Sequence, residues 1–291
     1  MNCLKYSNTF LINLVIASVI PLLIWGPFFP DLIVSISVLF FIYYVIKSKN
    51  YYYFFNKPLI SFFIFCFYCI CISIFIADDM LLSFESSLFY FRIGVFSCFI
   101  WFLINKDKNF LTFVYYALVI CFSSLVIDGY VQYFTGKNIF GLKLYGSRIS
   151  SFFGNEAIMG SYLSRLFPLL FALFLIKKKQ KFEVYFIGLL FILVDILIFM
   201  SGERAAFFFL NLSSLFIIIL IKEYQKFRLV TFIIAVICIF VLSLNASKLT
   251  DRMFKIPAMS MGIIKSSSEP TIFTPAHDSL IRTAYNMFED Q

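Results

Sequence analysis

The sequence predicts an all-α fold: a polytopic integral membrane protein with about nine transmembrane helices and two long periplasmic segments. Three observations predict it. Of 291 residues, 62% are hydrophobic and 14% charged, with a mean hydropathy of +0.93. A soluble domain usually carries about 25% charged and about 45–50% apolar residues, so the apolar excess here must face lipid. The apolar residues also gather in runs of the length that crosses a hydrocarbon core as a helix, and the lysines fall in alternate loops between them.

The runs lie at about 10–26, 31–46, 58–76, 88–104, 110–127, 159–176, 183–200, 205–221 and 229–245. The first two are short and interrupted by Pro21, Pro27 and Pro30, which makes them a hairpin of two spans or a re-entrant pair. Lys47, Lys49 and Lys57 follow the second run, and Lys106 and Lys108 the fourth. Lys177, Lys178, Lys179 and Lys181 follow the sixth, and Lys222, Lys226 and Arg228 the eighth. The alternate short loops hold only Arg204. This asymmetry places the N-terminus and the lysine-rich loops in the cytoplasm.

Two polar segments then fall outside. One runs from Asp128 to about Ile158 and carries Gly129, Gly136, Gly141, Gly146 and Gly154 among spaced aromatics, the composition of an ordered, tightly turned cap. The other runs from Ala246 to Gln291. The predicted organisation is a transmembrane domain over 1–245, including the loop 128–158, and a periplasmic segment over 246–291. In the latter, Thr274 can cap a helix whose first turn holds Pro275. His277, Ile281, Ala284 and Phe288 share one face of that helix. It reaches Gln291 with no stop signal, which suggests a truncated reading frame.

Composition also excludes functions. The net charge of +8 follows from the cytoplasmic lysines and forms no basic stripe of a nucleic-acid binder. Seven cysteines sit almost entirely in apolar runs, and the Cys66-x-x-Cys69 pair lies within a lipid-facing helix, where small buried hydrophobes are expected. There is no small-residue cleavage site after the first apolar run. Neither a phosphate-binding glycine loop nor a dinucleotide fingerprint occurs. Asp128, Glu156, Asp251 and Asp278 lack metal-ligand spacing, so no metal or cofactor is expected.

Ionisable groups in or beside the spans are costly and therefore informative. Arg204 occupies the tight turn Ser201-Gly202-Glu203-Arg204-Ala205-Ala206. It is either an interfacial anchor paired with Glu203 or a guanidinium that holds a phosphate. Arg148 opens Arg148-Ile149-Ser150-Ser151-Phe152-Phe153-Gly154-Asn155-Glu156, just before the sixth span. Arg92 and Arg165 sit near the outer ends of their spans, and Asp195, deeper in the seventh, needs a partner, expected to be Arg92 or Arg165. His277 is the only histidine and a candidate general base.

Several of these stretches together resemble one family. Asp128-Gly129-Tyr130-Val131-Gln132-Tyr133-Phe134-Thr135-Gly136, then Arg148 and Phe153-Gly154-Asn155, then Gly160-Ser161-Tyr162-Leu163, are similar to the outer loop of O-antigen ligases and polymerases. The Ser201–Ala206 turn resembles the Ser-Arg turn that starts a later span of that family, and Ala276-His277-Asp278-Ser279-Leu280 resembles its large periplasmic loop. The similarity covers about 110–291; the family's Gly-rich turn and last spans are not in this sequence.

The resemblance implies a metal-independent, inverting glycosyltransferase at the periplasmic face. It would move a glycan from undecaprenyl diphosphate to lipid A-core. It also implies roles: His277 activates the acceptor hydroxyl and Arg204 holds the diphosphate leaving group. Arg252 faces a second phosphate, and Arg148, Asn155 and Arg165 support substrate binding. A surface-polysaccharide polymerase would use the same donor with a lipid-linked acceptor. A transporter of lipid-linked sugars should show repeated halves with broken helices, and none is seen.

Overall fold

The computed structural model describes residues 6–77, 79–144, 146, 148–177, 180–245, 247–260, 263 and 275–289, with the side chains of 6–8, 245, 247, 260 and 275–277 outside the description. Among the described residues the regular elements are helices, and the one β-type pairing is an isolated bridge between Lys137 and Lys143. The chain is a helical, multi-pass membrane protein. Seven helical stretches are long and apolar enough to cross a bilayer, and Thr9–Leu22 and Arg204–Leu220 are shorter apolar helices. The chain divides into two compact units, Met1–Cys121 and Phe122–Gln291.

In the first unit α1 (Tyr6–Leu22) and α2 (Phe28–Ser48) form a hairpin. Pro21 lies inside the last turn of α1, where it removes one helical hydrogen bond, and Pro27 just precedes α2, where a missing N–H costs little. α3 (Lys57–Phe75) begins with proline in its first turn, and α4 (Met80–Leu88) is started by the Asp79 carboxylate, which accepts from the Leu82 N–H at 3.1 Å. A turn at Phe89–Tyr90 leads into α5 (Phe91–Lys106), which packs on α2 and α3. The core is aromatic: Phe41, Phe99 and Phe102 contact one another, with Tyr53 and Phe54 of the following turn closing over Phe41. Cys66 and Cys69 are free thiols one turn apart on α3.

Two polar pairs accompany this core. Asn13 donates to Asp107 at 2.7 Å, and Arg92 pairs with Asp31 at 3.0 Å. The second pair corrects one expectation: Arg92 spends its charge on α2 and is not the partner of Asp195.

α6 (Phe110–Thr135) passes from the first unit into the second. It continues eight residues beyond Ile127, where the fifth run was expected to end. Asp128 and Gln132 were read as loop residues because they are polar, yet both are fully buried, and their hydrogen bonds go to the loop that follows. That loop occupies 136–158 and leads to α7 (Met159–Ile176), α8 (Lys181–Met200), α9 (Arg204–Leu220) and α10 (Gln225–Asn245). α8 is the central helix; every residue from Val194 to Met200 is buried. It packs on α7, α9 and α10, and α9 also packs on α7 and α10.

Asp195 lies in this buried stretch of α8. Its partner is Arg228, which reaches the two carboxylate oxygens through Nη1 at 2.9 Å and Nη2 at 3.1 Å. Neither Arg92 nor Arg165 reaches it among the described residues. Arg228 was expected to be a cytoplasmic loop cation beside Lys222 and Lys226, but it sits in the first turn of α10 with none of its side chain exposed. Ser214 of α9 also accepts from its Nη2, and the rings of Phe167, Phe191 and Phe232 lie 4.5–6.0 Å from the guanidinium carbon. A buried ion pair needs such extra hydrogen bonds and π faces to offset desolvation. One carboxylate, one guanidinium and one hydroxyl thus tie three helices together.

Beyond α10 come α11 (Ser247–Thr250), a π-helical turn over Asp251–Lys255 and α12 (Ile256–Ser260). The amphipathic α13 (Pro275–Glu289) is the last element.

Candidate functional site

The site is built on the turn that joins α8 to α9. Gly202 adopts φ +68°, which turns the chain sharply between two helices, and its neighbours Ser201 and Glu203 diverge from it. Arg148 approaches from the loop before α7. Its Nε donates to the Ser201 carbonyl at 2.9 Å and its Nη2 to the Ala157 carbonyl at 3.0 Å. Arg252 approaches from the π-helical turn, with Nε donating to the Gly202 carbonyl at 3.0 Å. A Cβ at position 202 would stand 3.2 Å from the Arg252 side chain and 3.3 Å from that of Arg148. Glycine is therefore required there for its backbone angle and for the room that two arginines occupy.

Arg204, the first residue of α9, completes the group. It is partly buried and close enough to Arg252 for their charges to repel. Among the described residues it makes no hydrogen bond or ion pair. Three arginines thus gather at the four-residue turn Ser201–Arg204, Arg148 and Arg252 bound to its backbone carbonyls and Arg204 beside Arg252.

The nearest carboxylate, Glu203, is engaged elsewhere. It accepts from the N–H groups of Gly160 at 2.7 Å and Ser161 at 2.9 Å, and from the Ser161 hydroxyl. Ile158, at the N-cap position of α7, has no side chain that can accept, so the first N–H groups of that helix need an acceptor from outside. Glu203 supplies it, and the partial positive charge of the helix end favours the carboxylate there. A Cβ at Gly160 would collide with the Ser201 hydroxyl and the Glu203 carboxylate, which is why the helix begins with a small residue. The pairing of Arg204 with Glu203, one of its two expected readings, is absent. A sequence signal for this arrangement existed in retrospect: an α7 with an aliphatic cap needs a distant acceptor.

The loop that presents Arg148 hangs from the last turns of α6. Asp128 accepts from the Ile139 N–H at 2.8 Å and from the Ser151 hydroxyl at 2.6 Å. Gln132 accepts from the N–H groups of Ser150 and Ser151 at 3.0 and 2.8 Å and donates to the carbonyls of Leu142 and Lys143, both at 3.3 Å. Asn138 bridges Leu142 and Ser151. These contacts fix Ser150 and Ser151, two and three residues from Arg148, and the loop glycines Gly136, Gly141, Gly146 and Gly154 all take positive φ, as a tightly turned cap requires. Asp128, Gln132 and Asn138 were not singled out as positioning groups, because their partners are mostly backbone atoms that no sequence pattern announces.

Of the residues expected at a site, Arg148, Arg204 and Arg252 come together. Asn155 is exposed in the same loop, and Arg165 is exposed on α7; neither makes a hydrogen bond or ion pair among the described residues. His277 is the third residue of α13, and its side chain lies outside the described residues. Among the described residues no three His, Cys, Asp or Glu side chains gather, so the concentrated charge at this site is cationic. A cluster of fixed guanidinium groups beside a helix start suits a multiply charged oxyanion, above all a phosphate or diphosphate. Comparison with protein-family models, curated proteins and solved structures finds no match to the chain.

Proposed function

We propose that the protein is an O-antigen ligase-like glycosyltransferase, which moves a glycan from undecaprenyl diphosphate to lipid A-core at the periplasmic face of the inner membrane. The observation that carries this reading is the convergence of Arg148, Arg204 and Arg252 on the turn at Gly202, while Glu203 is drawn away to α7. Arg204, which makes no hydrogen bond or ion pair among the described residues, offers its charge to a ligand, with Arg252 beside it. In this reading all nine apolar helices span, the N-terminus and lysine-rich loops are cytoplasmic, and the turn opens to the periplasm.

The chemistry follows from that placement. The acceptor hydroxyl gives its proton to His277 and attacks the anomeric carbon, whose bond to the diphosphate oxygen breaks. Negative charge grows on the leaving group, and Arg204 with Arg252 holds it. Stabilisation that increases in the transition state accelerates the step. Arg148 braces the turn and adds to the field, and Asn155 and Arg165 contact substrate. The energy of the new bond comes from the diphosphate donor, so no nucleotide is needed.

The test is transfer of a lipid-linked glycan to lipid A-core in membranes that carry the Arg204→Lys variant. Lysine keeps the charge but cannot make two parallel hydrogen bonds, and transfer should fall by about 10²-fold at unchanged protein level. Wild-type transfer would return Arg204 to the role of interfacial anchor. His277→Ala should abolish transfer while the protein stays in the membrane; normal ligation would remove His277 from the mechanism. Glycan delivered to a second lipid-linked glycan would make the enzyme a polymerase.

A further inference from the structure

The first unit, which carries none of the site arginines, holds a buried polar atom without a partner. Asn13 of α1 is 1% exposed and donates its Nδ2 to the Asp107 carboxylate at 2.7 Å. That bond sets the sense of the amide, because a carboxylate accepts and cannot face the amide oxygen. The other end, Oδ1, is buried and meets no donor among the described residues. Buried acceptors are nearly always satisfied, so this one calls for a donor from outside the chain.

Asn13 lines a cavity of about 10 Å³ with Lys106 and Asp107 at the end of α5. That is room for one water-sized group. Asp107 accepts from Asn13 and from the Asn109 N–H at 2.9 Å, and it forms no ion pair among the described residues. Lys106 lies over the rings of Phe102 and Tyr44, at 5.0 and 5.6 Å, and likewise has no carboxylate partner among them. An anion and a cation thus line one cavity without neutralising each other. An apolar groove of about 250 Å³ continues from it: Phe40 and Phe99 line both, and Leu11, Val15 and Ile36 carry the groove onward. Leu11 and Ile36 are more than half exposed, so the groove opens sideways. Phe99 lies about 12 Å from Asp107 along α5, which sets the polar end apart from the apolar one.

We infer that this is a seat for phosphatidylethanolamine from the surrounding membrane. Its ammonium enters the cavity and donates to Asn13 Oδ1 and the Asp107 carboxylate, its phosphate rests on Lys106, and one acyl chain runs past Phe40 and Phe99 toward Ile36. Charge complementarity selects this lipid over its neighbours. Phosphatidylcholine carries a trimethylammonium, which has no N–H to donate and exceeds a water-sized cavity. Phosphatidylglycerol brings a phosphate for Lys106 but no cation for Asn13 and Asp107. A lone water satisfies the amide and leaves both charges unmatched. The seat is independent of the proposed transfer chemistry.

The experiment places the full chain in phosphatidylcholine nanodiscs with phosphatidylethanolamine as the minor lipid, and a photoreactive benzoyl-phenylalanine at position 36. Crosslinked lipids are identified by mass. The share of phosphatidylethanolamine among the adducts should exceed its mole share by about tenfold, the preference that charge-assisted hydrogen bonds to a buried acceptor provide. With the probe at Phe67, exposed on α3 and outside the groove, the adducts should follow the mole ratio. Asn13→Leu and Lys106→Gln should each bring the share at position 36 down toward the mole ratio. Lys106 is exposed, so its variant keeps the test open if Asn13→Leu fails to fold. Adducts at position 36 that follow the mole ratio, equal enrichment of phosphatidylglycerol in place of phosphatidylethanolamine, or an unchanged share in Lys106→Gln would each overturn the seat. Glycan transfer plays no part in the readout, so the proposed function stands or falls separately.

Discussion

The two units of the chain are held together by different means. In residues 6–121 the buried contacts are ring against ring, with Phe41 touching Phe99, Phe102, Tyr53 and Phe54. Among its described side chains only Asn13, Ser37 and Ser73 are polar and buried. In the second unit the buried set includes Asp128, Gln132, Asn138, Asp195, Ser214 and Arg228, nearly all hydrogen-bonded to groups distant in sequence. Apolar packing in lipid is forgiving, because the alternative neighbour is also hydrocarbon. Buried polar groups are unforgiving and hold a single geometry when fully satisfied. The unit that carries the arginine cluster is the one built from directional contacts, as a site that must hold guanidinium groups in fixed directions requires.

The sharpest way to break this comparison is to remove half of the buried pair. Arg228→Met leaves Asp195 charged and unpartnered and should cost about 3–5 kcal/mol of unfolding free energy, measured by denaturation in mixed SDS micelles. Asp195→Leu combined with Arg228→Met should recover most of that loss. A double variant as unstable as the single one would mean that geometry rather than charge is at stake. Next in size is Glu203→Leu, which strands the N–H groups that start α7 and should cost about 2–3 kcal/mol. Its loss of glycan transfer should exceed what the lower stability explains, since the freed turn no longer aligns Arg204. In the aromatic unit, Phe99→Leu should cost under about 1.5 kcal/mol and leave transfer unchanged. Smallest of all, Arg204→Ala should move stability by no more than about 0.5 kcal/mol while abolishing transfer. A large destabilisation there would show that Arg204 serves the fold.

The helices were legible from hydropathy because lipid-facing runs need no partner to be recognised. What hydropathy misplaced were the polar residues whose partners are far away in sequence. Asp128 was taken to end a span when it lies inside α6, and Arg228 was taken for a loop cation when its side chain is fully buried. The rule behind both errors is sound for isolated helices: a charge among apolar residues marks an end. It fails where another helix supplies the opposite charge, and a single sequence does not say which. For the site, Arg148, Arg204 and Arg252 could be named from the sequence as candidates in three separate segments, but their meeting at the Gly202 turn could not. The diversion of Glu203 was not, because its sequence neighbour Arg204 offered a simpler partner than a helix start some forty residues earlier.

Arg252 owes its direction to the π-helical turn over Asp251–Lys255, where the Ile256 N–H reaches back to the Asp251 carbonyl. One surplus residue sits in that turn compared with an α-helix, and it acts as a phase shift in a rotating register. Deleting one residue there would restore ordinary helix and keep the composition almost unchanged. It would also swing the two sides of the turn by about 100° relative to each other, aiming the guanidinium away from the Gly202 carbonyl. For this chain the length of a short helical segment, counted to the residue, is a coordinate of the site.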